Sequence, residues 1–486
     1  MSIRVDQFIV SDQANINTAM QIIDQNGMGA VFVVDASGRM CGMATDGDIR
    51  RALLQGHDLT GPIRQVMRTD YVSLPHTATQ EEVLNCLSDP IKIIPLLDTA
   101  GRPVNYACYH RYHEFQVMEP SLDGKELIYL TECIMKNWIS SQGGFVTRFE
   151  KRFAEFIGME EAFAVSNGTV ALHLALTALG IGAGNEVIVP DLTFAASVNA
   201  ILYTGATPVL VDVCPDTWTM DPGAVARAIT PKTKAIMPVH LYGHPCHMDE
   251  IRAIAADAGC LIVEDCAESL GSEYKGAKTG SLGDAGCFSF FGNKVLTTGE
   301  GGMVVFKDRE AGKRARILRD HGMSPARRYW HEYVGFNYRL TNLQAAVGVA
   351  QMERIGKLFN MRDTIFAEYD QHLKGIEGIE LLPRSPWGRH VPWLYCILLS
   401  DIDHRSTRDE MIAHLKSHGI QTRPLFYPIH EMPPYRHLSP PGARYPVSER
   451  LSYSGISLPS GYSLTASDIR YICSALKQSL PSTLIV

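Results

Sequence analysis

Between residues 162 and 306 the chain alternates short apolar runs with stretches of helical spacing. The runs EVIVP, PVLVDV, AIMPVHL and LIVED are almost continuously apolar, the pattern of strands covered on both faces. Helices between them make the sheet mostly parallel. LIVED (Leu261–Asp265) closes in an acid, and CFSFF (residues 287–291) runs into Lys294 and the glycine-rich GNKVLTTGEGG. Each reads as a buried strand emptying into a loop. The carboxyl ends of such strands are where an open α/β sheet binds its ligands.

Other segments fit around this sheet. Ala162–Val165 is an apolar strand that meets Ser166, Asn167, Gly168 and Thr169 before a long apolar helix. Such a turn at a helix N-terminus suits an anion, because its amides are unpaired and the helix dipole favours negative charge. An ordinary N-cap would use the same residues. Phe194, just after VIVPDLTF, sits at the same edge; it either stacks on a planar ring or packs in the core. Phe149, Phe153 and Phe156 have helical spacing and are read as core. Residues 119–137 form a linker running into a helix. After Gly302 come the strand MVVF and a basic helix. From Leu343 a long amphipathic helix bridges to a smaller C-terminal domain, in which RPLFYPIHEMPPY is a loop.

The first 118 residues repeat. AVFVVDASGRMCGMATDGDIRRALL reads strand, turn, strand, helix, and EEVLNCLSDPIKIIPLLDTAGRPVNYACY returns to the plan 63 residues on. Residues 14–26 form a helix with Met20, Ile22 and Ile23 on one side. Two copies of one unit, about 1–58 and 62–118, are expected to pack together, followed by a large domain (119–360) and a small one (361–486).

Composition narrows the function. The 486 residues are 45% hydrophobic and 20% charged, as in soluble globular proteins. No apolar run approaches a membrane span, and the N-terminus has no signal-peptide core. The net charge of −7, with no basic block, argues against nucleic acid. Eleven cysteines lie singly, with no CxxC pair, so neither a disulfide framework nor a metal site is expected and the compartment reads as cytoplasmic.

An acid and a lysine at one sheet edge suit pyridoxal 5'-phosphate. That cofactor needs a lysine for covalent attachment and a carboxylate that keeps its pyridine nitrogen protonated. Lys294 and Asp265 take these roles, with burial expected to keep the amine neutral. Gly168, Thr169 and Ser289 would hold the phosphate and Phe194 would cover the ring.

Two resemblances sharpen this. The N-terminal repeat resembles a tandem pair of CBS domains, carried by Gly42, Thr45 and Asp48; the resemblance implies an adenine nucleotide or related ligand on Thr45 and Asp48. Those residues would equally cap the following helix. In the second copy the matching positions are Asn105, Cys108 and Arg111, so the polar pair is lost. From about residue 122 onward the chain resembles the DegT/DnrJ/EryC1/StrS sugar aminotransferases. The matching motifs are SNGTVALHLAL, PDLTFAAS, VHLYGHPCHMDEI, VEDCAESLGSEYKG, CFSFFGNKVLTTGEGGMVV and GFNYRLTNLQAAVG.

The resemblance implies an α/β fold of PLP-dependent fold type I, with a mostly parallel large domain and a small α+β domain. It places the attachment on Lys294, the ring nitrogen on Asp265, the ring face on Phe194, and phosphate contacts on Thr169, Ser289 and Asn337. Relatives donate the last of these from the neighbouring subunit, which implies a homodimer. Glu268 stands where relatives often have Gln or His, and contact with the cofactor's phenolic oxygen would need a proton on Glu268. Keeping Lys294, where some relatives carry His and dehydrate, favours transamination. The implied substrates are glutamate and a nucleotide-linked 4-keto-6-deoxy sugar, GDP-linked before UDP-linked. The alternative is a nucleotide sensor on a degenerate PLP domain. Sugar contacts are expected from the 240–244 segment and the 423–430 loop, with no role for any single residue.

Overall fold

A computed structural model describes residues 5–87, 91–108, 115–400 and 404–480. The chain divides into two compact units, Met1–Glu114 and Phe115–Val486.

The first unit runs β1 (Ile9–Ser11), α1 (Ile16–Asn26), β2 (Ala30–Val34), β3 (Met40–Thr45), α2 (Asp46–Leu54), then β4 (Leu74–Pro75), α3 (Gln80–Cys86), β5 (Ile93–Leu97) and β6 (Pro103–Cys108). Its sheets, β1-β2-β3 and β4-β5-β6, are copies in register. Ala30 faces Thr45 and Val34 faces Met40; in the second copy Ile93 faces Cys108 and Leu97 faces Pro103. The turns match as well. Asp35 accepts from the amides of Ser37 and Arg39, and Asp98 from those of Ala100 and Arg102. Gly38 and Gly101 close these turns at φ 78° and 77°, where a side chain would be strained. The helix expected over residues 14–26 is α1. Its buried face is Ile16, Ala19, Ile23 and Asn26, and Met20 is 36% exposed. Arg111 lies outside the described residues.

Residues 115–118, read from sequence with the N-terminal module, are bonded into the second unit. Phe115 N–H donates to Gly419 O, Gln421 N–H donates to Phe115 O, and Val117 O accepts from Ser460 N–H. There follow α4 (Glu126–Met135), α5 (Gly144–Ile157), β7 (Ala162–Val165), α6 (Gly168–Ala178), β8 (Glu186–Pro190), α7 (Ala195–Tyr203), β9 (Thr207–Val211), α8 (Pro222–Ala228), β10 (Thr233–Ile236), α9 (Met248–Ala258) and β11 (Leu261–Asp265). A hairpin, β12 (Glu273–Tyr274) and β13 (Ala277–Lys278), precedes β14 (Ala285–Ser289), β15 (Gly302–Phe306) and α10 (Arg309–Leu318).

The main sheet has the order β7-β15-β14-β11-β10-β8-β9. From β9 to β14 all neighbours are parallel, and β15 is antiparallel to both of its own. One face packs on α6, whose Leu172, Leu174 and Leu176 are buried beside Cys287 and Val304. The other packs on α5, where Phe149 and Phe153 meet Phe288 and Phe290. β14 begins two residues earlier than the apolar run and ends at Ser289, opposite Gly302, where β15 begins.

The long helix expected from Leu343 is two helices, α11 (Asn342–Glu353) and α12 (Ile355–Leu373). Arg354 breaks them at φ −124°, where its guanidinium reaches Ser121 Oγ and Asp123. The chain closes with β16 (Ile379–Leu381), β17 (Gly388–Arg389), β18 (Tyr395–Leu399), α13 (His404–Ser417), β19 (Arg423–Pro424), α14 (Pro446–Ser454), β20 (Gly455–Leu458) and α15 (Ala466–Gln478). Here the sheet is antiparallel, in the order β16-β18-β20-β19. Among the described residues no helix is long and apolar enough to cross a membrane.

Candidate active site

Four chain segments meet at one edge of the main sheet: the end of β11 at Asp265, the end of β14 at Ser289, the start of α6 at Gly168 and the start of α7 beside Phe194. They enclose a cavity of about 650 Å³. Gly168, Thr169, Phe194, Asp265, Glu268, Ser289 and Lys294 all line it. Asn337 does not. It is exposed and bridges Asp320 through its backbone, outside its own chain's cavity.

Asp265 is buried on the cavity wall. Its carboxylate accepts from Ser197 Oγ at 2.7 Å and from Ala267 N–H at 3.1 Å. Burial raises its pKa, opposed by Ser197, Ala267 and the charge of Lys294. The preceding residue fixes the strand end. Glu264 accepts from the amides of Gly280, Leu282 and Gly283 and from His240 Nε2, while His240 Nδ1 accepts from Cys246 N–H. His240, Glu264 and Cys266 bring their polar atoms within 4.8 Å of one another. The His and Glu atoms are already bonded, so this cluster is a buttress behind Asp265.

Lys294 Nζ lies 3.6 Å from Glu268 Oε1 and 3.3 Å from the ring centroid of Trp393. Its loop is clamped on both sides: Trp393 Nε1–H donates to Asn293 O and the Tyr462 hydroxyl to Val295 O, each at 2.7 Å. Burial lowers the pKa of the amine, and the carboxylates of Glu268 and Asp265 pull it back up. Burial pushes the Glu268 carboxyl up to about 7, against the Lys294 charge and the Tyr242 N–H that donates to it at 2.8 Å. Burial thus leaves Glu268 easier to protonate than an ordinary carboxylate, directly beside the amine. Tyr242 aims that N–H from the left-handed region, φ 49°, a conformation that costs a non-glycine residue about 1–3 kcal/mol.

Anion-binding geometry sits at the start of α6. Asn167 Oδ1 caps the helix by accepting from Val170 N–H at 3.0 Å, and the amides of Gly168 and Thr169 have no acceptor within the helix. A Cβ on Gly168 would stand 2.8 Å from Ser289 Cβ, so the missing side chain is what brings β14 against the helix start. Phe194 is 59% exposed on the cavity wall, its ring 5.7 Å from Phe426; of the two readings, the core is excluded. These residues fit pyridoxal phosphate: a buried carboxylate for a ring cation, free amides for a phosphate and a neutralisable lysine.

Residues 120–477 match the sequence profile of the DegT/DnrJ/EryC1/StrS aminotransferase family. The chain belongs to this family. GDP-perosamine synthase of Caulobacter vibrioides is 48% identical over 365 residues, 75% of this chain and 98% of its own length. GDP-perosamine synthase of Escherichia coli O157:H7 is 46% identical over 362 residues, 74% and 97%. Among solved structures, Spr1654 of Streptococcus pneumoniae in its PLP form has a TM-score of 0.71 at 28% identity, covering 75% of this chain and 99% of that one. As a DegT/DnrJ/EryC1/StrS enzyme, the chain is a PLP-dependent sugar aminotransferase of fold type I.

Membership of that family leaves the first unit to be placed. Residues 3–55 match the CBS domain profile. A cavity of about 1130 Å³ opens in this unit, lined from both copies and including Met20, Thr45, Asp48, Arg68 and Lys92. Thr45 and Asp48 also form a capping box on α2, each side chain bonded to the other's amide, and Asp48 pairs with Arg51. The capping reading holds, and both residues also line the cavity.

Sequence reasoning gave no role to Ser197, Tyr242, Trp393 or Tyr462. Each touches the site across 68 residues or more of chain, or through a backbone atom. No local pattern marks them.

Proposed function

We propose that the chain transfers the amino group of glutamate to C4 of GDP-4-keto-6-deoxymannose, giving GDP-perosamine for a surface polysaccharide. The observation carrying this reading is 48% identity across nearly the whole length of the Caulobacter enzyme, with Lys294 and Asp265 lining one cavity. Pyridoxal phosphate, when bound, supplies the electron sink that lets an amino group exchange with a carbonyl oxygen.

The chain's own residues do the rest. Asp265 holds the proton on the ring nitrogen. Gly168, Thr169 and Ser289 bind the phosphate and Phe194 covers the ring. Lys294 carries the cofactor and moves a proton at Nζ, its basicity lowered by burial so that the neutral amine is available. Glu268 holds a proton toward the cofactor's phenolic oxygen. Asn337 completes the phosphate site of a second subunit, so the working form is a homodimer. The N-terminal module takes an adenine nucleotide in the cavity that contains Thr45 and Asp48.

Incubation of the purified protein with glutamate and a panel of GDP- and UDP-linked keto-sugars, read by mass spectrometry, tests the assignment. Conversion of GDP-4-keto-6-deoxymannose with release of 2-oxoglutarate is expected. Amination of UDP-linked 4-keto-6-deoxy-hexosamines alone would overturn the sugar assignment.

A further inference from the structure

An aminotransferase cavity must receive two substrates in turn, and the amino donor is an amino acid that brings at least one carboxylate. Moving a carboxylate out of water is unfavourable unless a cation meets it. The charged residues lining the cavity are few: Asp265, Glu268 and Glu300 are acids, and Lys294 and Arg423 are the cations. Lys294 already faces Glu268 and lies on the Trp393 ring, and in the reading above it carries the cofactor. Arg423 is left.

We propose that Arg423 is the carboxylate-binding residue of the amino-donor subsite. This rests on the aminotransferase reading above and adds to it the residue that recognises the donor.

Three features suit it to the role. Among the described residues, no acid lies within ion-pair distance of its guanidinium, although most other arginines of this unit are paired or bonded to a carbonyl oxygen. Its backbone is fixed while its side chain is exposed: β19 pairs Arg423 with Ser457 and Pro424 with Ile456, Leu425 N–H donates to Gly455 O at 3.1 Å, and Phe426 N–H donates to the Tyr242 hydroxyl at 3.3 Å. Its charge is also felt at the reactive amine, where it adds to the lowering of the Lys294 pKa. The neighbouring wall is aromatic, with Phe426 5.7 Å from Phe194 and 6.4 Å from Trp393. A planar guanidinium on a rigid strand beside such a wall binds a carboxylate through two parallel hydrogen bonds. An acid that enters with its amino group toward Lys294 meets its counter-charge on the small-sheet side.

The test uses full-length holoenzyme and reads the donor half-reaction alone. L-glutamate is added without nucleotide sugar, and the change in the cofactor's visible absorption is followed. Binding of glutarate, an unreactive dicarboxylate, is measured by calorimetry on the same samples. Arg423→Gln is expected to weaken glutamate and glutarate by about 30- to 100-fold, the usual consequence of removing one partner of a charge-assisted pair. Arg423→Lys should recover part of the loss, and the KM for the nucleotide sugar should stay within about twofold. Undiminished donor half-reaction and glutarate binding in Arg423→Gln would overturn the proposal. So would a loss that falls on the nucleotide sugar, which would assign Arg423 to the diphosphate. A wild type whose spectrum ignores glutamate would instead sink the aminotransferase reading itself.

Discussion

Replacing Glu268 by Gln isolates the least ordinary group in the cavity. At 3.6 Å from Lys294 Nζ, full charges would attract by about 5 kcal/mol at an effective dielectric of about 20. Burial still wins, and the carboxyl moves from its ordinary 4.5 up to about 7. A carboxyl whose folded value exceeds its unfolded value binds more protons in the folded state between the two. Wild-type stability from this group is thus fully present below about pH 4.5 and is lost as pH rises to about 7. The shift corresponds to roughly 3 kcal/mol. Glu268→Gln removes that loss. It also deprives Lys294 of a counter-charge, lowering the amine further, so the variant gains stability with rising pH where the unfolded amine is protonated and the folded one is not. Both effects act in the same direction. Melting of cofactor-free wild type and variant, followed from about pH 5 to about pH 8, should show the difference moving in favour of the variant by up to roughly 3 kcal/mol. A difference that stays constant over this range, or moves in favour of the wild type, would refute the argument.

Two further substitutions probe the cofactor cradle. Asp265→Asn removes the buried carboxylate proposed as the partner of the ring nitrogen, and glutamate half-reaction rates should fall by about a hundredfold or more while the protein stays folded, a barrier increase of about 3 kcal/mol and in the range of losing one partner of a buried charge pair; stopped-flow absorbance measures it, and an unchanged rate would refute that role for Asp265. Gly168→Ala places a Cβ 2.8 Å from Ser289 Cβ, and overpacking of about 1–3 kcal/mol should weaken pyridoxal phosphate binding by about tenfold in a fluorescence titration, with Gly168→Ala/Ser289→Gly recovering stability.

Much of this site was legible because its parts are local. Asp265 closes an apolar run, Gly168 and Thr169 open a helix after a strand, and Lys294 follows a strand in glycine-rich sequence; periodicity and turn chemistry suffice for each. The 63-residue repeat was legible for the same reason, down to the paired Asp turns. What escaped depends on contacts that sequence separation hides. Trp393 reaches Asn293 across 100 positions, and Tyr242 contributes a backbone N–H from a conformation its residue type disfavours. At the break between α11 and α12, Arg354 reaches Ser121 and Asp123, partners that sequence separation hides. Met20 keeps helical spacing with the core but faces a cavity, which an apolar pattern cannot distinguish from burial.

In the proposed function Lys294 carries pyridoxal phosphate in a cavity where Asp265 and the start of α6 hold it. Borohydride reduction of the purified protein after pyridoxal phosphate addition, followed by peptide mass spectrometry, tests it most directly. The cofactor's mass is expected on the peptide containing Lys294, and its loss, with the visible absorption, in Lys294→Ala. Unlabelled wild-type peptide, or a label on another lysine that survives in Lys294→Ala, would contradict it.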